Sequence, residues 1–314
     1  MKILTLGLGA FGFAVNKLLG ENNPDRIFYG FELNKKIVTS LKKTRKHPFF
    51  FEGYKLPENI EILDSYDDII SDIDLLIIAI PAQFISASID GFKNKLKPRV
   101  TIMNLAKGID VKTNSPISKV FAEKLVGVDY NYSVLSGGMI AQEVVEGKML
   151  GADLGIENLE IGNNIKLLLE NKNMKIKIQP DILNIELYGS LKNIMAIMVG
   201  YYEGKGDEKS SIGFHLVNFY DEMKELIKKY DGNPEIDFSY YSLGGDIIAT
   251  CFGDSRNRYF GQLLGSGKNI SEVLEQLELE KKHAEGYETL KAVYEMIKDE
   301  EGFEITKHMY SLIK

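Results

Sequence analysis

Short apolar runs alternate with amphipathic stretches over roughly the first 180 positions, and then the alternation stops. β-type runs occupy residues 2–6, 27–31, 60–63, 75–80, 100–104, 132–135, 148–152 and 175–178, with helical periodicity between several of them, as at 116–125. Runs this short, bounded by turn residues, read as strands. Alternating with helices, they predict a largely parallel, doubly wound sheet. Beyond Pro180 helical periodicity takes over, through 181–202, 212–230, 270–279 and 284–298, and no convincing strand follows. The pattern predicts an α/β domain over residues 1–180 and an all-helical domain over 181–314. No internal repeat or low-complexity tract interrupts it.

The first run leads straight into Gly7-Leu8-Gly9-Ala10-Phe11-Gly12 and then a helix-like segment. G-x-G-x-x-G between strand and helix has a physical logic. Gly7 permits the tight turn, Gly9 lets backbone approach a pyrophosphate, Gly12 lets helix pack on strand, and the helix N-terminus presents N–H groups and positive dipole. Ala10 and Phe11 fall in that first turn. The second run ends at Phe31-Glu32, and Glu32 follows Gly12 by twenty residues. A carboxylate there accepts from a ribose 2′-hydroxyl and repels a 2′-phosphate, so NAD is expected over NADP. The glycines interrupt the apolar stretch and no small-residue cleavage site follows, so it is not read as a signal peptide.

Lys192 stands alone in the apolar run Leu187-Tyr188-Gly189-Ser190-Leu191-Lys192-Asn193-Ile194-Met195, with no carboxylate until Glu203. Burial disfavours an ammonium, lowers its pKa and makes it a better proton donor near neutrality, which suits carbonyl reduction. The same window also fits a lysine whose stem lies on apolar surface while its head reaches solvent.

Composition narrows the rest. At 314 residues and 44% hydrophobic the chain can bury large cores, and a net charge of −7 argues against nucleic acid or an anionic membrane as partner. No window is expected to approach the roughly 18 apolar residues of a membrane span. A single cysteine, Cys251, excludes an internal disulfide and fits a reducing cytoplasm. The basic run Lys42-Lys43-Thr44-Arg45-Lys46 reads as a solvated loop or helix end. His47, His215, His283 and His308 are scattered without ligand-type spacing, so no metal is expected. Cys251 has no histidine near it in sequence, which argues against thiol catalysis.

Further clusters carry chemistry. Ala79-Ile80-Pro81-Ala82-Gln83 places Pro81 at the carboxyl end of a buried strand, and Lys107 follows another strand end in Ala106-Lys107-Gly108. Ser136-Gly137-Gly138-Met139-Ile140-Ala141-Gln142-Glu143 is a glycine turn feeding a helix. Gly245-Asp246 precedes Thr250 and Ser255-Arg256-Asn257-Arg258, which offers a guanidinium fork and an amide for phosphate oxygens.

These motifs, in this order, with Gly189-Ser190-Leu191-Lys192-Asn193 and Glu285-Gly286, resemble the bacterial-type NAD(P)-dependent glycerol-3-phosphate dehydrogenases over most of the chain. The resemblance implies a Rossmann domain followed by a helical domain like the C-terminal domain of 6-phosphogluconate dehydrogenase. It implies Lys192 as proton donor, with Lys107 and Asp246 holding the substrate and the charge state of the lysine. Asn193 and Thr250 would add hydrogen bonds, and Ser255, Arg256 and Asn257 would take the phosphate with help from Gly137. Phe31, Pro81, Lys107, Ala141, Arg256 and Glu285 would join the glycine loop and Glu32 around the cofactor. The implied reaction is reversible reduction of dihydroxyacetone phosphate by NADH, at the entry to phospholipid backbone synthesis. A small phosphorylated molecule is thus the expected partner, with a homodimer compatible with the sequence. The chain departs from the family at Gly138-Met139, where a polar residue is common, and at Val217-Asn218-Phe219, where threonine-arginine-glycine is usual. A dehydrogenase of another polyol phosphate or hydroxy acid, and a non-catalytic NAD-sensing protein, are the alternatives.

Overall fold

A computed structural model describes residues 1–280 and 282–314. The chain forms two compact units. The first contains Met1–Ala106 and Phe121–Ile182, the second Lys107–Val120 and Leu183–Lys314.

The elements up to residue 180 run β1 (Ile3–Leu6), α1 (Ala10–Asn22), β2 (Phe28–Phe31), α2 (Lys35–Thr44), β3 (Ile60–Leu63), β4 (Leu75–Ile78), α3 (Ala82–Phe92), β5 (Val100–Asn104), β6 (Ile109–Asp110), β7 (Ser115–Pro116), α4 (Ile117–Lys124), β8 (Tyr130–Gly137), α5 (Ala141–Val145), β9 (Leu150–Ile156), α6 (Leu159–Leu169) and β10 (Met174–Gln179). The first unit is built on an eight-stranded sheet in the order β10-β9-β8-β5-β4-β1-β2-β3. Every pairing is parallel except β8 with β9. Ile3, Leu4, Leu6 and all of β4 and β5 are buried, as expected of parallel strands covered on both faces. The strand order reverses between β1 and β4. In such sheets a ligand crevice opens beyond the carboxyl ends of the strands at this point.

Three details differ from the sequence pattern. β4 stops at Ile78, two residues short of the end of the apolar run. β9 returns antiparallel to β8, the segment between them holding only the five-residue α5. The basic run is not wholly solvated: Lys42 pairs with Asp64, while the partly buried Arg45 donates to the carbonyls of Pro57 and Ile60.

The second unit continues with α7 (Ile182–Gly204), α8 (Lys209–Lys229), α9 (Arg256–Gly265), α10 (Ile270–Leu279), α11 (Glu285–Ile297) and α12 (Glu304–Ser311), with two short π-helical turns at Tyr241–Gly245 and Ile248–Phe252. It also takes residues 107–120, which the sequence pattern assigned to the first domain. These carry the β6–β7 hairpin, whose Ile109 joins the apolar core of this unit, and Glu186 of α7 accepts the Ser118 amide at 3.1 Å and also its hydroxyl. Such long-range hydrogen bonds leave no trace in hydrophobic periodicity.

α7 is the axis of this unit, with nearly all of its side chains buried. Its composition and length would allow it to cross a membrane, contrary to the expectation from sequence, but 89% of its apolar window is buried inside the protein, as in the core helix of a globular unit. α9 lies tightly against it through paired glycines. A Cβ at Gly200 would stand 1.9 Å from the Arg258 carbonyl oxygen, and one at Gly261 2.0 Å from that of Ile197.

Candidate active site

Lys192 projects from the middle of α7 and is 5% exposed. The reading in which its head escapes to solvent therefore falls. A buried ammonium is costly unless paired and hydrogen-bonded, and this one is both. Its Nζ donates to Asp246 Oδ1 at 3.0 Å and to Thr250 Oγ1 at 2.6 Å, and Thr250 in turn donates to the same Asp246 oxygen at 3.0 Å. Lys107 Nζ donates to the other oxygen, Oδ2, at 2.6 Å.

Two cations thus share one buried carboxylate, leaving a positive surplus. Burial pushes the Lys192 pKa down; Asp246 works against this and Lys107 with it. Burial alone would raise the Asp246 pKa, but the two ammonium groups outweigh it and hold the carboxyl below its usual range. Asp246 and Thr250 come together on Lys192 because the chain bends through the two π-helical turns on either side of Asp246-Ile247. Cys251 is fully buried beside this group, and burial lifts its thiol to about 12, far from a thiolate at neutral pH.

Asn193, next along α7, is organised by α9 and α11. Asn257 donates to Asn193 Oδ1 at 2.8 Å and accepts the Gly286 amide at 2.9 Å. Among the described residues, that arrangement leaves the buried Asn193 Nδ2 without a hydrogen-bond partner. An unsatisfied buried donor costs free energy unless a ligand completes it. Asn257, expected as a phosphate ligand, thus also fixes the amide of Asn193.

Ser255 caps α9, accepting the Arg258 amide at 3.4 Å, so its own hydroxyl hydrogen is free to donate. Arg256 begins the helix and is exposed, while Arg258 is committed to Glu203 at 2.6 Å and to the Gly253 carbonyl. The two arginines of Ser-Arg-Asn-Arg are therefore unequal: one builds the fold and the other faces outward at a helix N-terminus. Glu285 opens α11, half-buried.

The first unit carries the glycine loop. Gly7 has a φ of 95°, and a Cβ there would meet the Ala79 carbonyl oxygen at 2.6 Å; at Gly12 it would meet Gly7 O at 2.0 Å. At Gly9 a Cβ would meet nothing within 4 Å. The loop is thus packed on its inner side and open at the glycine where a pyrophosphate would approach. α1 has no side-chain cap and no acidic residue in its first turn, leaving the amides near Ala10 and Phe11 to an anion. Glu32 Oε2 accepts the Leu8 amide at 2.9 Å and Oε1 that of Asn34 at 2.9 Å. Phe31 meets Tyr66 edge-on at 4.9 Å. These residues fit a dinucleotide.

Pro81 is exposed at the head of α3, Gly137 ends β8 where a Cβ would meet the Gly151 carbonyl oxygen at 2.4 Å, and Ala141 begins α5. Met139 is a core side chain, packed with the apolar cluster of the first unit. At Val217-Asn218-Phe219, Phe219 is core and Asn218 bonds the Phe214 carbonyl of its own helix. The sequence reading missed Ser190, whose buried hydroxyl joins α7 to Gly108; a serine inside an apolar run was the available signal.

Known protein families match both halves of the chain. Models of the N- and C-terminal parts of NAD-dependent glycerol-3-phosphate dehydrogenase match residues 2–161 and 181–314. The glycerol-3-phosphate dehydrogenase (NAD(P)+) of Clostridium perfringens is 29% identical over 296 residues, 94% of this chain and 87% of that protein. Its counterpart in Fusobacterium nucleatum is 27% identical over 280 residues, 89% and 83% of the two chains. Among solved structures, glycerol-3-phosphate dehydrogenase from Coxiella burnetii aligns with a TM-score of 0.88 at 21% identity, covering 99% of this chain and 94% of its own. That of Plasmodium falciparum gives 0.87 at 23%, covering 99% and 90%.

Proposed function

Since the chain belongs to the NAD-dependent glycerol-3-phosphate dehydrogenase family and is an NAD(P)-dependent oxidoreductase, we propose that it interconverts dihydroxyacetone phosphate and sn-glycerol 3-phosphate, with Lys192 moving the proton. The observation that carries this reading is the buried Lys192 ammonium held by Asp246 and Thr250, with Lys107 on the far side of the same carboxylate.

The first unit would hold the cofactor through Gly7, Gly9, Ala10, Phe11 and Gly12 at the pyrophosphate, Phe31 against the adenine and Glu32 on the ribose, with Pro81 and Ala141 alongside. Lys107, Arg256 and Glu285 are the further cofactor residues that the family resemblance implies. Glu32 favours NAD over NADP. When bound, the reduced cofactor supplies the hydride for the ketone carbon.

In the reducing direction, negative charge develops on the C2 oxygen. Lys192 donates its proton there, and burial makes it a stronger acid than a free lysine. Asp246 and Thr250 fix the direction of Nζ, and the negative charge of Asp246 favours re-protonation of the neutral amine from solvent before the next turnover. Lys107 and the unpaired amide of Asn193 hold the substrate oxygens. Ser255, Arg256 and the first turn of α9 take the phosphate, the guanidinium as a charge-assisted fork. Asn257 supports them by holding Asn193, and Gly137 would add backbone contacts. In the oxidising direction neutral Lys192 accepts the hydroxyl proton.

Lys192→Ala is the test. Loss of a positioned acid should lower kcat for dihydroxyacetone phosphate about 10²–10⁴-fold, while NADH titration stays at the wild-type value. Near-normal kcat would remove Lys192 from the chemistry. The reading extends to a cytoplasmic enzyme, supported by a single and fully buried cysteine; sedimentation velocity would check its assembly as a homodimer.

A further inference from the structure

On the geometry of α7 we infer that Ser190, which the family reading gives no role, is a positioning residue that holds Lys107 on Asp246. The inference rests on the assignment of Lys107 and Lys192 made above. Ser190 is completely buried. A hydroxyl in an apolar core is costly unless both its donor and its acceptor capacity are used. Here both are: Oγ donates to the Glu186 carbonyl at 2.9 Å and accepts the Gly108 amide at 2.9 Å.

The first bond is local to the helix. The second spans 82 positions and ties residue 108 to α7 two residues before Lys192. Gly108 has a φ of 154°, backbone that side-chain-bearing residues rarely adopt, and it directly follows Lys107. Glu186, one helical turn earlier, grips the other end of the same stretch at Ser118. α7 therefore fastens residues 107–120 at both ends, and the bond nearer the chemistry is that of Ser190. Because the same helix carries Lys192, one rigid element sets both cations against the two oxygens of Asp246, Lys107 at 2.6 Å and Lys192 at 3.0 Å.

In Ser190→Ala the Gly108 amide is left buried without its acceptor, the backbone at 107–108 relaxes, and Lys107 loses its place on Asp246. Lys192 faces Asp246, Thr250, Lys107 and Cys251. Removing the nearby positive charge of Lys107 raises the pKa of Lys192, since that charge helps to hold it down. Reduction needs protonated Lys192, so the alkaline limb of kcat moves to higher pH.

The experiment measures dihydroxyacetone phosphate reduction by NADH across pH for wild type, Ser190→Ala, Ser190→Cys, Lys107→Ala and Lys107→Ala/Ser190→Ala, with thermal melts of each. Displacement of a positioning group by about 1 Å costs on the order of 10–100-fold, and Ser190→Ala should lose kcat/KM in that range with its alkaline limb shifted upward. Ser190→Cys, whose sulfur accepts weakly, should fall between alanine and wild type, and it preserves the comparison should the alanine variant be unstable. In the Lys107→Ala background the second substitution should cost nothing more. An unshifted limb with wild-type kcat/KM in Ser190→Ala, or losses that add in the double variant, would overturn the role of Ser190 and leave the proposed function standing. A fully active Lys107→Ala would overturn the reading of Lys107 and, with it, that of Ser190.

Discussion

Glu32 holds the glycine loop and is also the residue proposed to meet the ribose. Each carboxylate oxygen accepts one backbone amide, Leu8 on one side and Asn34 on the other. An ionised carboxylate has about four acceptor positions, so roughly half its capacity remains for a ribose diol. A 2′-phosphate placed there would meet a negative charge that cannot swing away without releasing the Leu8 amide. Wild-type kcat/KM should therefore favour NADH over NADPH, and Glu32→Ser should narrow the gap from both sides, raising NADPH use while NADH use declines as the loop loses its anchor. Equal use of the two cofactors by the native protein would count against this. The spacing from Gly12 made Glu32 legible as a ribose partner, because that spacing is local to one β-α-β unit. Its bond to Leu8 was not legible, since it depends on the β1–β2 register. The same holds for Ser190 and Asn257. Residue types and motif order point to Lys192, Lys107, Asp246 and Arg256, but which polar atoms are satisfied and which left free emerges only from contacts across the fold.

At the scale of elements, the packing of α7 on α9 depends on having no side chains at the crossing. Gly200 and Gly204 on one helix and Gly261 and Gly265 on the other each bring a Cβ position within 2.3 Å of a carbonyl oxygen on the facing helix. Adding even one methyl forces the helices apart, and overpacking of this kind costs about 1–3 kcal/mol. Gly261→Ala should lower Tm measurably and, because Asn257 sits one turn earlier on α9 with its amide on Asn193, should raise KM for dihydroxyacetone phosphate as well. An unchanged Tm would show that the helices can separate freely. Elements with strong local signals were readable from the pattern: the buried parallel strands as unbroken apolar runs, and α7, α8, α10 and α11 by periodicity. α9 and α12 were not, α9 because its inward face is partly glycine and carries little apolar periodicity. α12 is short, and its N-terminus is held from another helix: Glu222 of α8 accepts the amides of Ile305 and Thr306 at 2.6 and 2.9 Å. The direction of β9 and the transfer of residues 107–120 to the second unit likewise depend on pairing partners remote in sequence.

For the whole molecule, the shifted groups combine into one pH dependence of stability. His47 and His215 both have pKa values lowered, chiefly by burial. His47 has a further reason to resist a proton, because its Nδ1 already accepts the amides of Phe49 and Phe50. With the folded-state pKa below the unfolded value of about 6.5, the unfolded chain binds more protons in the interval between them. Stability from these two groups is thus complete above about pH 6.5 and declines as pH falls toward their folded-state values. A second loss lies lower. Asp246, Asp74 and Glu203 are desolvated, yet their lysine and arginine partners hold their pKa values below the usual carboxylate range. Their contribution is present above about pH 4 and is lost as pH drops through the depressed values. Glu222 runs the other way: burial raises its pKa, so its contribution is present below the unfolded value and lost as pH rises through the folded one. Glu222 thus opposes the two histidines in the upper interval, and the three depressed carboxylates act below it. Tm should fall in two stages, the first beginning as pH drops below about 6.5 and the second below about pH 4, where acid unfolding follows. Replacing both histidines by glutamine should flatten the first stage and leave the second. Thermal melts from pH 8 to 3 would decide it, and a double variant that kept the upper slope would move the cause from these histidines to other groups.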